Sequence, residues 1–278
     1  MGYIGLPVLA AFMHISEEGQ MSMIVYQCED SLESIFTAIY NAYEEKRDHS
    51  DTRISLNQEL MLFAEYILVK ADDRKAVKVI RTLKRRFGEK DYLTICNALS
   101  SPDDEKGQAV YQTVVKGLAR NAGQGHLFDN LADDDVNKVF ALARGAGNEK
   151  QHLFGFLRFQ ELENGILYSR IGPKYNLLTF LMPHFADRFP MENFMIYDDQ
   201  RNLFGIHPKG RDWYLVHGAE FPEAAGDLRL SEQELKYQEL FRYFCHRIAI
   251  KERENPRLQR NMLPLRFQEY MIEFDKKC

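Results

Sequence analysis

The sequence predicts an α+β fold in which helices pack around a small, mainly antiparallel sheet. Three observations predict this fold. Apolar residues at helical spacing dominate the first half of the chain, short strand-like segments cluster after residue 148, and a helical pattern returns near the end. A doubly wound sheet would need strands that alternate with helices along the chain, so the clustering of the strands argues against it.

Along the 278 residues we predict an N-terminal leader over residues 1–22 and a single domain over residues 23–278. The first part of that domain, residues 23–147, is predicted to be helical. Its second part, residues 148–278, is predicted to be rich in strands and then helical. This length suits one large domain or two small ones, and a hydrophobic content of 45% supplies the material for a core.

The first predicted elements are a strand at residues 23–27 and the helix after it. Asp30 is predicted to cap this helix, with Glu33 three residues later as in a capping box. Its apolar face repeats at helical spacing and consists of Leu32, Ile35, Phe36, Ile39, Tyr40 and Tyr43. Residues 45–51 are polar and are predicted to form a loop.

The following segments predict one short strand and several helices. Residues 62–69 fit a strand, with a helix as the alternative. Asp72 or Asp73 is predicted to cap a helix with one buried and one basic face. Its predicted buried residues are Ala76, Val77, Ile80, Leu83 and Phe87, and its basic residues are Lys75, Lys78, Arg81, Lys84, Arg85 and Arg86. Further helices are predicted at residues 90–99, 104–120 and 133–143.

The second part of the domain begins with a predicted hairpin. Strands at 153–161 and 166–171 flank Glu163-Asn164-Gly165, and Asn-Gly is a strong hairpin signal. A helix at 176–188 precedes three short strands in a meander, at 194–197, 203–207 and 213–217. Ser231 and Glu234 form a capping box at the start of a final helical section. One face of that section is lined by Tyr237, Leu240, Phe241, Phe244 and Ile248.

Net charge and cysteine use limit the classes of function. Proteins that bind duplex DNA avidly are usually basic, so a net charge of −5 argues against autonomous binding while leaving room for a local basic face. No two cysteines lie within four residues of each other, which excludes CxxC sites and predicts reduced thiols in the cytoplasm. Cys28 lies at a helix N-terminus, where a thiolate is favoured; burial as a small apolar side chain is the alternative.

The sequence predicts neither a membrane segment nor a cofactor. The apolar run at residues 6–12 is short, no basic region precedes it, and Glu17 and Glu18 follow, so neither a signal peptide nor a membrane span is expected. No phosphate-binding glycine loop and no GxSxG motif occur. We therefore expect a cytoplasmic protein without a cofactor.

The candidate functional residues are polar and lie between residues 152 and 201. They are His152, Arg158, His184, Arg188, Asp198 and Arg201. On a helix, His184 and Arg188 share a face and could hold a phosphate. On a strand, Arg158 would lie among aromatic side chains and could stack on a base. The alternatives are structural: Asp198 and Arg201 fix a turn, Arg158 pairs with Asp198 across the sheet, and His184 is a core histidine.

The sequence predicts no metal site, but it contains two candidate surfaces for nucleic acid or a partner. His152, His184 and Asp198 could ligate iron or zinc, but they lie on three separate elements without a short-range ligand pair, so no metal is predicted. Two basic runs are candidate contacts for nucleic acid or for a partner, although most charge runs are only solvated faces. The candidate residues are Lys78, Arg81, Lys84 and Arg85 in the first run and Arg257, Arg260 and Arg266 in the second.

Five segments resemble one bacterial family. They are YQCEDSLESIFTAIYNAY from Tyr26, LFAEYILVKADDRKA from Leu62, EKQHLFGFLRFQE from Glu149, PHFADRFPMENFMIYDDQR from Pro183 and RENPRLQRNMLPLRFQEYMIE from Arg253. Together they resemble the domain-of-unknown-function 4130 family of DNA metabolism proteins, over nearly the whole chain after Met23. The resemblance implies a gene neighbour that is a radical-SAM DNA repair or modification protein. It also implies a similar domain fused ahead of a uracil-DNA glycosylase domain in other bacteria.

These observations favour a protein that acts through a partner. The resemblance implies a DNA-repair setting but names no reaction and no catalytic residue. We therefore expect an accessory protein, with no catalysis of its own, that docks a radical-SAM-type or glycosylase-type enzyme and contacts DNA at most locally. One alternative is a DNA-acting enzyme with a His/Arg site. The other is a stand-alone binder of single-stranded nucleic acid.

Overall fold

The computed structural model describes residues 23–57, 61–119, 126–218 and 228–274. They divide into two compact units. The first unit contains the described residues up to Leu99 together with Asp103–Phe140, and the second contains Ser100–Pro102 and the described residues from Ala141 onward. Within these residues the chain forms eight α-helices and two β-sheets.

The first unit is built on a three-stranded, fully parallel sheet. Its strands are β1 (Met23–Gln27), β2 (Thr52–Ser55) and β3 (Ala64–Leu68), in the order β2-β1-β3. Helix α1 (Leu32–Glu44) is the crossover between β1 and β2 that a parallel pair requires. The predicted strand at 23–27 is confirmed, and 62–69 contains a strand, whereas β2 was not predicted.

Helix α1 begins one residue later than its predicted cap implied. Ser31 is the N-cap, and its side chain accepts a hydrogen bond from the Ser34 amide at 3.1 Å. Asp30, the predicted cap, forms an ion pair with the buried Lys106 instead. Ile35 and Phe36 lie in the core, as the helical spacing predicted.

Helix α2 (Asp73–Leu99) joins two predicted helices across a kink. At Gly88 the backbone has φ 87° and ψ 169°, a conformation open to glycine alone among the common residues. Asp72 caps the helix by accepting hydrogen bonds from the next turn. Val77, predicted to be buried, is 50% exposed, because Ala76, Val79 and Leu83 form the inward face. Helix α3 (Lys106–Ala119) follows.

The second unit contains a mixed five-stranded sheet. Its strands, in spatial order, are β4 (Gln160–Glu161), β5 (Leu167–Ile171), β6 (Phe194–Asp198), β7 (Leu203–His207) and β8 (Tyr214–His217). The pair β5–β6 is parallel and is connected through helix α5 (Leu178–Arg188); the other pairs are antiparallel.

The predicted fold class is therefore wrong about the β-sheet. The chain is α+β, but it has two sheets, one wholly parallel and one mixed, in place of one small, mainly antiparallel sheet. The prediction failed because it treated consecutive strands as hairpins. Where a helix lies between two strands, as α1 and α5 do, the second strand can return parallel to the first.

Helix α4 (Asp134–Phe156) extends through a segment that was predicted to be a strand. The aromatic residues of 153–159 favour strands intrinsically, but Leu153 packs in the core with α5 residues, and tertiary packing overrides that propensity. Only Gln160–Glu161 is extended. The predicted turn is confirmed: Gly165 has φ 77°, and Glu161 pairs with Leu167 across it.

A core of large apolar residues fills the second unit. It joins α4, α5 and the sheet through Leu153, Ile171, Leu177, Leu178, Leu181, Met182, Phe185, Phe194, Ile196 and Phe267. Phe267 comes from the short helix α8 (Leu265–Gln268), which follows α6 (Glu232–Ile248) and α7 (Pro256–Met262). None of the helices in the described part of the chain combines the length and the apolarity that spanning a bilayer requires.

Candidate functional site

The two histidines of the predicted cluster pack on different aromatic groups. His152, on α4, stacks on Phe156 and contacts the edge of Phe267, with ring centroids 5.7 and 5.3 Å apart. Its Nδ1 is buried and has no hydrogen-bond partner within the described ranges. His184, on α5, lies 4.2 Å from the Phe154 ring and is exposed. The alternative of a core histidine at position 184 is therefore wrong.

Arg158 lies in the connection after α4, where its side chain ties two segments together. Its guanidinium donates to Glu273 Oε1 at 2.9 Å and to the Gly155 carbonyl at 2.9 Å. It is not on a strand and does not pair with Asp198, so both sequence-based placements of Arg158 are wrong. The contact with Glu273 links the end of α4 to the 3₁₀ turn at Ile272–Phe274.

Asp198 and Arg201 form the turn contact that was given as the structural alternative. Asp198, fully buried at the end of β6, accepts from Arg201 Nη1 at 3.0 Å and from the Gln200 amide at 3.1 Å. Arg201 also donates to the carbonyls of Pro173 and Lys174 at 2.9 and 2.6 Å. Burial raises the pKa of the Asp198 carboxyl, and the charge of Arg201 opposes that rise.

The predicted pair on α5 faces the solvent. His184 and Arg188 lie four residues apart on this helix, as predicted, and both are exposed. The Arg188 guanidinium lies 5.6 Å from the ring centroid of Phe189. The six predicted residues therefore do not form one cluster: Asp198 pairs with Arg201, and the other four residues make contacts elsewhere.

Neither a metal centre nor a reactive thiol is visible at the predicted positions. No group of three His, Cys, Asp or Glu side chains within the described ranges is placed to hold a metal ion. The Cys28 thiol is buried, and burial raises its pKa to about 12. Its sulfur lies 3.8 and 3.7 Å from the carbonyl oxygens of Tyr26 and Ser34. Cys28 is therefore the small buried residue of the alternative interpretation.

The first basic run forms the outer face of α2 up to the kink at Gly88. Lys78 lies over the Tyr40 ring, 4.8 Å from its centroid, and donates to the Tyr40 hydroxyl at 3.1 Å. Lys84 pairs with Glu89 at 3.0 Å. Arg81 and Arg85 are exposed. We call this surface the α2 basic face; it consists of Arg74, Lys78, Arg81 and Arg85.

The second basic run is less uniform. Arg266 forms an ion pair with the buried Glu149 at 3.1 Å, which fixes α8 to α4. Glu149 also accepts from the backbone amides of Lys174 and Tyr175. Arg260 donates to the Pro256 carbonyl within α7, and Arg257 is exposed. Arg266 is therefore a structural residue, and the run does not form one continuous charged face.

Helix α6 carries an apolar stripe that nothing in the described part of the chain covers. The stripe consists of Tyr237, Leu240, Phe241, Phe244 and Ile248, and its members are 37–61% exposed. The helix begins at Ser231, whose side chain accepts from the Glu234 amide at 3.0 Å, as predicted. We call these five residues the α6 stripe.

A shallow groove runs along the α6 stripe. It has a volume of about 570 Å³ and is lined by four stripe residues together with Arg158, Glu234, Gln238 and Ile272. Gln238 is the only buried side chain of α6. The helical spacing of these residues predicted the apolar face but not its exposure. The signal that could have indicated exposure is its aromatic composition, which is typical of protein–protein interfaces.

The fold and these surfaces define an α+β protein that exposes one apolar and one basic helical face. Residues 104–273, more than half of the chain, match the family described as domain of unknown function (DUF4130), and the chain belongs to this family. No curated protein matches the chain, and no solved structure matches it. One family domain over residues 23–278 stays a prediction, since the match begins at residue 104.

Proposed function

We propose that this chain is a cytoplasmic accessory protein of bacterial DNA repair or modification that docks a catalytic partner through the α6 stripe. The exposure of that stripe is the observation that carries the proposal. The resemblance found in the sequence suggests the partner: a radical-SAM-type enzyme encoded beside it, with a glycosylase-type enzyme as the second choice. The chain would position the partner and leave the chemistry to it.

The size of the exposed apolar surface supports docking of a protein. Large apolar side chains offer roughly 200 Å² each when fully exposed, so the α6 stripe alone presents about 500 Å². Patches larger than a few hundred Å² mark interaction sites in soluble proteins. Leu258 and Met262 on α7, both more than half exposed, line a second depression together with Ile248 and so extend this apolar surface. A typical interface needs about 800 Å² from each partner, which is within reach.

The contacts of the predicted polar residues also support a docking role. Hydrogen bonds to neighbours within the second unit already occupy the side chains of Arg158, Asp198 and Arg201. His152 and His184 pack on separate phenylalanine rings. An enzyme needs a base or nucleophile whose polar atoms face a substrate cavity, and this set does not supply one.

The test is to purify the chain together with the radical-SAM protein that the resemblance implies as its gene neighbour, and to measure the dissociation constant by calorimetry. We expect a complex at micromolar concentration. Leu240→Glu and Phe244→Glu should each weaken it at least tenfold, because each places a charge in the apolar contact. Met191→Glu, a charge placed at another exposed apolar residue of the same unit, should change the affinity less than twofold.

Two results would overturn the proposal. One is separate elution of the two proteins at micromolar concentration. The other is a homodimer of this chain that Leu240→Glu converts to monomers, since the stripe would then be covered by a second copy. Circular dichroism and urea unfolding of each variant establish that the folded state is retained.

A further inference from the structure

We propose that the α2 basic face binds the phosphate backbone of duplex DNA. This inference rests on the proposed function for its DNA setting, but it concerns a surface in the first unit and is independent of the α6 stripe. It is also independent of the family match, which begins at residue 104, after α2 has ended.

The four basic residues form a single line on the helix. Arg74, Lys78, Arg81 and Arg85 are spaced i, i+4, i+7 and i+11, which places them along one side of α2. The inward face of the same helix is formed by Ala76, Val79 and Leu83 and lies on the opposite side. The basic residues therefore point directly away from the core of the unit.

The charge of this face is not balanced within the helix. From Arg74 to Phe87 the sequence contains seven basic and no acidic residues, in a chain whose net charge is −5. Like charges four residues apart, such as Arg74 with Lys78 and Arg81 with Arg85, destabilise a helix. A helix that only needs solubility carries both signs, so this one-sided composition indicates an external polyanion.

Two carboxylates close to the face pair with lysines that lie beside the line. Lys75, beside the line, is held by Asn41 and Glu44, and Lys84 is held by Glu89. In contrast, Arg74, Arg81 and Arg85 have no carboxylate partner among the residues that the structure describes, and all three are exposed. Their guanidinium groups remain available for phosphate oxygens, which they can bind through two parallel hydrogen bonds.

The spacing and the composition favour duplex DNA over other polyanions. The line from Arg74 to Arg85 is about 16 Å long at 1.5 Å per residue, which spans roughly five phosphates of one strand. Lys78 already lies over the ring of Tyr40, the aromatic residue beside the line, so this ring does not offer a free face on which a base could stack. A lipid surface would require apolar side chains that insert, and within residues 74–87 Val77 is the only exposed large apolar residue.

The test measures binding of the full chain to a fluorescein-labelled 20-base-pair duplex by anisotropy, as a function of salt. If the face contacts three or four phosphates, the logarithm of the association constant should fall with the logarithm of the salt concentration at a slope of about −3. Arg81→Glu/Arg85→Glu should weaken binding at least tenfold at low salt and reduce the slope by about 2. The neutral double variant Arg81→Gln/Arg85→Gln should also weaken binding and reduce the slope, but by less.

The matched control is Lys209→Glu/Arg211→Glu, the same charge change in the exposed turn between β7 and β8. It should change binding less than twofold. Equal losses in both double variants would overturn the proposal, since net charge alone would then explain binding. So would absence of duplex binding at low salt, or tighter binding to anionic vesicles or to polyglutamate. Leu240→Glu should bind DNA normally, which separates this test from failure of the docking proposal.

Discussion

Replacing Arg201 by methionine is expected to destabilise the second unit more than replacing Asp198 by asparagine. The two residues form one ion pair, but their surroundings differ. Asp198 is fully buried, whereas the Arg201 side chain is 25% exposed and holds two backbone carbonyls in addition to the carboxylate. The two substitutions differ in their cost to stability because each leaves a different member of the ion pair in place.

The magnitudes follow from the contacts. Arg201→Met leaves a buried carboxylate without its cation, which costs about 3–5 kcal/mol in comparable buried pairs. Asp198→Asn keeps an oxygen that can accept from the Gln200 amide and removes a charge whose burial was unfavourable. The loss is then limited to one charge-assisted hydrogen bond, about 1–2 kcal/mol. The double variant should cost less than Arg201→Met alone.

The pH dependence provides a second signature. Burial raises the pKa of Asp198 above its value in the unfolded chain, and loss of Arg201 removes the charge that opposes this rise. A carboxyl with a higher pKa in the folded state takes up its proton preferentially there, so its protonation stabilises the fold as the pH falls. The deficit of Arg201→Met should therefore shrink below pH 7, and that pH effect should vanish in the double variant.

Urea unfolding followed by circular dichroism at pH 7 and at pH 5 measures these differences. A deficit for Arg201→Met no larger than that of Asp198→Asn would refute the proposed asymmetry. One further outcome would change the role assigned to Arg201. If Arg201→Met left stability unchanged and abolished binding of the catalytic partner, Arg201 would be a functional residue and not a structural one.

Three further predictions concern single residues. The Cys28 thiol should stay unmodified by iodoacetamide at pH 8, because burial raises its pKa to about 12, while the half-buried Cys245 is labelled before it; peptide mass spectrometry that found Cys28 labelled before Cys245 would contradict this. Gly88→Ala should cost about 1–3 kcal/mol in urea unfolding, since a Cβ is strained at φ 87° and ψ 169°, and an unchanged midpoint would exclude that strain. Ser231→Ala should cost about 1 kcal/mol by removing the acceptor of the Glu234 amide, and a cost no greater than that of Ser50→Ala would contradict the capping role.

Local signals in the sequence predicted most elements of the fold. The capping box at Ser231, the turn at Gly165 and the helical spacing of α1 depend on neighbours within a few residues, and all three are confirmed. Strand partners depend on residues far apart in the sequence, and there the prediction failed. The strand β2 has only four residues and follows a polar loop, so its own sequence does not indicate a strand. Its extended conformation is fixed by pairing with β1.

The predicted polar cluster failed for a similar reason. Its residues were grouped because arginines and histidines near aromatic residues suit nucleic-acid chemistry. Their partners, however, come from distant segments: Arg158 meets Glu273, and Arg201 meets the backbone at Pro173. Sequence spacing cannot reveal such contacts, whereas the turn between Asp198 and Arg201 is local and was foreseen as the structural alternative.

Helices α2 and α6 show what an amphipathic pattern can and cannot establish. Both α2 and α6 have an apolar face at helical spacing, yet the face of α2 lies in a core and that of α6 is open. The apolar residues of the two helices recur with the same period, because the period indicates only that one side of each helix is apolar. The composition differs: the inward face of α2 is aliphatic, whereas three of the five α6 stripe residues are aromatic. Aromatic side chains give large contact areas at low entropic cost and are enriched at interfaces, so the composition of the α6 stripe supports the proposal that it docks a partner.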